Sequence, residues 1–267
     1  MGMLKAEGLE YEARGDGEAV LLIHGALIAD ALFPLMGEAA LADRYRLICY
    51  RRKGHGGSDP VSGAASIEQQ AQDASALLAH LGVERAHVVG HSGGGVIAVE
   101  LAIQAPGLVH SLVLLEPAIT PPDPAALTDA VAPILAAYGS GDLAKAVDLF
   151  LSMACGQDWR SVSEKTVPGG PEQAEKDAAT FFAVDLPAFI GWSPTFDRDR
   201  ASRISQPVLY VVGSETVPIV EGAGEHFQSL VPHTEQAVVS GVNHAMQMQD
   251  PKAVAATIAD FLSRHPL

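Results

Sequence analysis

Six short runs rich in Val, Ile and Leu punctuate the chain, at residues 20–23, 46–50, 87–89, 111–115, 207–212 and 236–239. Nearly every position within them is apolar, the pattern of strands buried on both faces of a parallel sheet. Helical signatures lie between them. Ser66 and Gln69 fit a capping box, Ala74, Leu77, Leu78 and Leu81 form one apolar stripe, and Gly82 supplies a C-terminal stop. Near the end, Asp250-Pro251 opens a helix whose Val254, Ile258, Phe261 and Leu262 face inward. Alternating strand and helix predict an α/β architecture.

The alternation breaks once, between Pro117 and Arg203. Pro121-Pro122-Asp123-Pro124 opens that stretch, Leu143, Val147, Phe150, Leu151 and Ala154 then recur at helical spacing, and Pro171 opens a further helix through Val184. The pattern predicts a helical insertion over residues 119–203, dividing a core made of 1–118 and 204–267. The insertion holds eight of the chain's 15 aromatic residues: Tyr138, Phe150, Trp159, Phe181, Phe182, Phe189, Trp192 and Phe196. Large side chains serve the internal packing of a small helical unit, or they line an apolar pocket.

Composition narrows the functional classes. A formal net charge of −15 with no basic stripe disfavours nucleic acid and anionic membranes as partners. The longest stretch without Asp, Glu, Lys or Arg is 15 residues, from Leu101 to Leu115, shorter than the ~18 apolar residues of a membrane span. Lys5, Glu7, Glu10, Glu12, Arg14 and Asp16 occupy the place where a secretory signal needs an apolar core. Two isolated cysteines, Cys49 and Cys155, form neither a disulfide framework nor a metal knuckle. A soluble, cytoplasmic protein is expected.

Chemistry concentrates at Gly90-His91-Ser92-Gly93-Gly94, a Gly-x-Ser-x-Gly pattern between an apolar strand and an apolar helix. A serine on so sharp a turn tolerates only small neighbours, because side chains at Gly90 and Gly94 would strike the adjoining strand and helix. The turn lifts the hydroxyl above the sheet at a helix N-terminus, where N–H groups favour a developing oxyanion. The lysine and spacing of a P-loop are missing.

With this motif, the chain resembles the α/β-hydrolase superfamily nearly end to end. The matching pieces are Val20-Leu21-Leu22-Ile23-His24-Gly25-Ala26, Arg52-Lys53-Gly54-His55-Gly56-Gly57-Ser58, the serine turn, Leu114-Leu115-Glu116-Pro117 and Gly241-Val242-Asn243-His244. The resemblance implies an eight-stranded, mostly parallel sheet with helices on both faces, a helical cap inserted after strand six, and a triad in the order serine, acid, histidine. Ser92 matches the nucleophile and His244 the base. The oxyanion hole would combine the backbone N–H groups of Ala26 and Gly93. Of the ten histidines, His24 and His55 belong to loop motifs, His80 and His110 sit beside helix ends, and His91 is the variable residue of the turn. Relatives with an aspartate nucleophile, the haloalkane dehalogenases and epoxide hydrolases, are disfavoured by Ser92.

Two departures from that family matter. The loop after strand four carries Arg51 and Lys53 where an aspartate and an arginine are usual, and the trio Arg51-Arg52-Lys53 either binds an anionic group or pairs with nearby acids. After strand seven the usual Gly-x-x-Asp reads Gly213-Ser214-Glu215-Thr216, so Glu116, directly after strand six, is the expected acid, and Glu215, one residue short of the usual position, is the alternative.

The expectation is a serine hydrolase that cleaves a carboxylic ester, thioester or lactone of a small, largely apolar substrate through an acyl-serine intermediate. It needs no metal and no organic cofactor, and Trp159, Phe181, Phe182 and Trp192 are the expected substrate-binding aromatics. Its rivals are a catalytically silent small-molecule receptor on the same fold and an enzyme of C–C bond hydrolysis, lyase chemistry or perhydrolysis.

Overall fold

In the computed structural model, which describes residues 3–61, 65–119 and 124–267, the strands are β1 (Leu4–Ala6), β2 (Leu9–Arg14), β3 (Glu18–Ile23), β4 (Tyr45–Arg51), β5 (Ala86–His91), β6 (Val109–Leu115), β7 (Val208–Gly213) and β8 (Thr234–Val239). They form one sheet in the order β1-β2-β4-β3-β5-β6-β7-β8, antiparallel at β1-β2-β4 and parallel from β4 onward. All six apolar runs are strands of the parallel part. The antiparallel hairpin escaped the hydrophobic pattern because β2 alternates Leu9, Tyr11 and Ala13 with charged residues. Its turn is Glu7-Gly8, both at positive φ, rather than the Asn-Gly that marks such turns in sequence.

Side chains alternate between the two faces of the sheet. Leu21, Ile23, Val88, Leu112 and Leu114 enter one apolar layer, and Val20, Leu22, Val89, Val113 and Leu115 enter the other. The first layer is covered by α2 (Ile67–His80), α3 (Gly93–Gln104) and most of the inserted helices; α1 (Ala39–Ala42), together with two helices near the C-terminus described below, covers the second. β8 departs from the expected strand buried on both faces: Glu235, Gln236 and Val238 are exposed, because β8 is the outermost strand and has only β7 beside it.

Between β6 and β7 the described chain is helical: α4 (Pro124–Gly139), α5 (Leu143–Cys155), α6 (Trp159–Thr166), α7 (Gly170–Thr180), α8 (Leu186–Trp192) and α9 (Arg198–Ala201). The proline-rich opening at Pro121-Pro122-Asp123 lies outside the described residues. The helix expected to run from Pro171 to Val184 continues to Trp192 instead, through a π turn over Phe181–Asp185 in which the Leu186 N–H donates to the Phe181 carbonyl. After β7 come α10 (Pro218–Leu230), β8, α11 (Met246–Gln249) and α12 (Pro251–Arg264), the last two completing the second layer. Among the described residues no helix is long and apolar enough to cross a membrane.

The helix ends follow local chemistry. Asp250 caps α12 by accepting the Ala253 N–H at 2.9 Å, and Val254, Ile258, Phe261 and Leu262 are fully buried beneath it. Ser66 accepts the Gln69 N–H at 3.2 Å, but the Gln69 side chain turns to Asp73 rather than back to Ser66, so only half of the capping box forms. Ser66→Ala is therefore expected to cost about 1 kcal/mol in chemical denaturation, whereas Gln69→Ala is expected to cost at most a few tenths of that.

Candidate active site

Ser92 sits between the last residue of β5 and the first of α3 with φ +51° and ψ −120°, a strained conformation for a residue with a side chain. The strain is held by tight packing. The Ser92 N–H donates to the Leu115 carbonyl at 3.0 Å, and the Ser92 carbonyl accepts from Gly95 at 2.9 Å and Ala118 at 3.0 Å. A Cβ at Gly94 would run into the carbonyls of Ile23 and His24, and one at Gly90 into the first turn of α3. These glycines let α3 start directly against β3 and β5, so its unpaired N-terminal N–H groups open beside the Ser92 hydroxyl.

The other two polar members arrive from neighbouring strand ends. Glu116 follows β6 at φ +43° and is fully buried. Its Oε1 accepts the Gly213 N–H at 2.8 Å and its Oε2 lies 2.7 Å from His244 Nδ1, which fixes the imidazole with Nε2 left for another partner. His91 supports the same loop: its ring nitrogen Nε2 donates to the His244 carbonyl at 2.9 Å. Burial and the neighbouring His244 push the His91 pKa down to about 3, so this ring is a neutral donor.

Ser92, His91 and His244 line a narrow cavity with Ala26 and Ile28 from the loop after β3, with Phe150, Leu151, Ala154 and Cys155 from α5, and with Gln247 and Met248. Burial pushes the Cys155 thiol up to about 12, so it contributes a neutral wall. Glu215 is exposed, and its N–H donates to the Val242 carbonyl at 2.9 Å.

None of Trp159, Phe181, Phe182 and Trp192 lines this cavity. All four are buried in the packing of the helical segment: Trp159 donates to Asp148 at 3.2 Å, Trp192 donates to the buried Glu100 of α3 at 2.8 Å and stacks on Phe196, and the two phenylalanines pack with Phe150. The aromatic that reaches the cavity is Phe150, placed there by the apolar stripe of α5.

The basic trio pairs with acids. Arg51 bridges Glu10 and Asp30, and Lys53 meets Asp73 at 2.7 Å. Arg52 is buried rather than solvated, 2.9 Å from Asp185 of the π turn, which also accepts from His55 at 2.8 Å. Burial by itself raises the Asp185 carboxyl, but the Arg52 charge and the His55 hydrogen bond overcome that and hold it at about 2. Sequence reasoning did not single out Asp185; its only local signal is a carboxylate within an otherwise apolar helical run.

Residues 20–257 match the family described as "Alpha/beta hydrolase family". The chain is 30% identical over 229 residues, 83% of its own length and 85% of the relative's, to a protein named as a candidate carbamate hydrolase, RutD, from Pseudomonas syringae pv. syringae (strain B728a). It is similar to a solved thermophilic esterase from Thermogutta terrifontis, with 25% identity, TM-score 0.75 and coverage of 97% and 94% of the two chains. It also shares its fold with the enol-lactonase from Burkholderia xenovorans LB400, at 20% identity, TM-score 0.76 and 96% coverage of both.

The Asp185 pairing makes a signed prediction about acid. Its carboxyl is held at about 2 against an ordinary value of 3.8, so the stabilisation is present above the ordinary value and is lost as pH falls through about 2. Denaturation measured across that range should show Asp185→Asn less stable than wild type at neutral pH, with a flatter loss of stability between 3.8 and about 2.

Proposed function

Since the chain belongs to the alpha/beta hydrolase family and is a hydrolase of that type, we propose that it is a serine hydrolase that cleaves a carboxylic ester, thioester or lactone of a small, largely apolar substrate. The observation that carries this reading is the 2.7 Å contact between the buried Glu116 and His244 Nδ1, beside a cavity that also exposes Ser92. A serine hydroxyl becomes a strong nucleophile only when a neighbouring imidazole takes its proton, and that imidazole needs a carboxylate to fix its tautomer and stabilise its charge.

In this mechanism Ser92 Oγ attacks the acyl carbon while His244 Nε2 accepts its proton. The carbonyl oxygen becomes an oxyanion held by the N–H groups of Ala26 and Gly93, assisted by the N-terminal end of α3. His244 then gives the proton to the leaving alkoxide or thiolate as the acyl carbon's bond to it breaks, and an acyl-Ser92 ester remains. Water, deprotonated by the same imidazole, attacks the acyl carbon; the bond to Ser92 Oγ breaks, His244 gives the proton to Oγ, and the acid is released. Glu116 holds the orientation of the imidazole throughout, its second oxygen accepting the Gly213 N–H. The helices between β6 and β7 act as a cap: α5 lays Phe150, Leu151 and Ala154 over the cavity, so small apolar acyl groups suit it best. The names of the relatives, esterase, enol-lactonase and carbamate hydrolase, accord with attack at an acyl carbon.

Incubation with a fluorophosphonate, followed by peptide mapping, should find the adduct on Ser92 in wild type and none in Ser92→Ala. An adduct elsewhere, or none on folded protein, would sink the assignment. On p-nitrophenyl esters, Glu116→Gln should keep the fold while kcat falls steeply, by as much as ~10⁴ in comparable triads, and Glu215→Gln should stay within about threefold of wild type, as befits an exposed side chain. The reverse ranking would transfer the role of acid to Glu215. Acetyl and butyryl esters should outrun decanoyl ones, and a single turnover without release would mark a receptor instead.

A further inference from the structure

The site has a brace behind its oxyanion donors that the mechanism above does not use. The Gly25 carbonyl and the Ala26 N–H belong to one planar trans peptide unit, so whatever fixes the direction of the carbonyl fixes the N–H to point the opposite way. Two donors meet that carbonyl: Arg52 Nη2 at 2.9 Å and His24 Nδ1 at 2.9 Å. The tautomer of His24 is itself set, because its Nε2 accepts the Arg52 backbone N–H at 2.9 Å, leaving the proton on Nδ1. The peptide also lies close against the serine turn, since a Cβ at Gly25 would sit 2.9 Å from the Ser92 Cβ.

We propose that Arg52 is a positioning residue for the oxyanion donor at Ala26, and that Asp185, reaching in from the helical segment, holds Arg52 in place. The inference rests on the reading of Ala26 and Gly93 as the oxyanion donors. Arg52 is 2% exposed, and a guanidinium buried to that degree needs a counter-charge. Among the described residues its one carboxylate partner is Asp185, while Nη1 donates to Gln70 at 2.6 Å. A charged donor on the Gly25 carbonyl also polarises the peptide and strengthens its N–H as a donor. The same helical stretch braces the second oxyanion residue. Phe189, one turn beyond Asp185, lies beneath the Arg52 guanidinium at 5.8 Å and presses its ring on Gly93, where an added Cβ would collide with it. Asp185 and Phe189 thus support the two halves of the oxyanion hole from one face of the helical segment, so the seating of that segment and the geometry of the hole are coupled.

The test compares wild type with Arg52→Met and Asp185→Asn in the full chain, measuring p-nitrophenyl acetate kinetics, inhibition by a small alkylboronic acid that mimics the tetrahedral intermediate, and thermal unfolding. Outright loss of one oxyanion donor costs about 10²–10³ in kcat, and misplacement of the donor should cost part of that. In folded Arg52→Met, kcat should therefore fall tenfold or more with KM within about threefold of wild type. Boronate affinity should weaken in step with kcat, and the pH–rate profile should keep its shape. Asp185→Asn should move kcat and boronate affinity in the same direction by less. A purely structural pair would lower the unfolding temperature and leave kcat and boronate affinity of the folded protein unchanged, and that result overturns the proposal. Should Arg52→Met fail to fold, Arg52→Met/Asp185→Leu removes both charges together, and the same two outcomes apply. Failure of wild type to label at Ser92 would instead overturn the assignment of the site on which the inference rests.

Discussion

The close approach of α3 to β3 and β5 is the constraint from which the rest of the site follows. Gly94 sits against the carbonyls of Ile23 and His24, and Gly90 against the first turn of α3, with no room for a methyl group at either place. Only under that packing does the chain reverse within one residue, which forces Ser92 to positive φ and brings the start of the helix to the edge of the sheet. Strain of this kind costs of order 1–3 kcal/mol and persists only where surrounding contacts over-determine it. Here the contacts are the Ser92 hydrogen bonds to Leu115, Gly95 and Ala118, which knit the turn to the end of β6.

That knitting sets the position of Glu116. The residue after β6 inherits a fixed place beside the serine turn, and Glu116 occupies it at positive φ, with one oxygen on Gly213 at the end of β7 and the other on His244. Three neighbouring strand ends are therefore tied together by one carboxylate. His91, from the turn itself, reaches the backbone of His244 and closes the circuit. A fully buried carboxylate is costly unless each oxygen finds a donor, and both donors here come from elements the sheet already aligns.

The helical segment is joined to this frame by polar groups rather than by apolar contact alone. Asp185 meets Arg52 and His55, and Trp192 donates to Glu100. Buried ion pairs contribute little net stability because desolvation offsets attraction, but removing one partner leaves an uncompensated buried charge. In this arrangement α5 lines the cavity with Phe150, Leu151, Ala154 and Cys155.

Much of this was legible in the sequence, and the boundary has physical causes. The six strands of the parallel part, the capped helices at Ser66 and Asp250 and the helical nature of the insertion follow from hydrophobic period and local capping, both of which act over a few residues. The Gly-x-Ser-x-Gly turn was readable because its sterics are local, and the motifs around His24, Ser92 and His244 carried the fold by resemblance. The sequence favoured Glu116 over Glu215 only on a one-residue offset after a strand, and which carboxylate meets His244 depends on packing at the strand ends, where Glu116 contacts both Gly213 and His244. The aromatic surplus of the insertion was equally ambiguous: Trp159, Phe181, Phe182 and Trp192 serve packing, and the cavity takes Phe150, because side-chain direction depends on how the helices dock. Arg52 and Asp185 stand 133 positions apart and share no local pattern. Their pairing exists only because the folded chain buries both charges at the same place, where each needs the other.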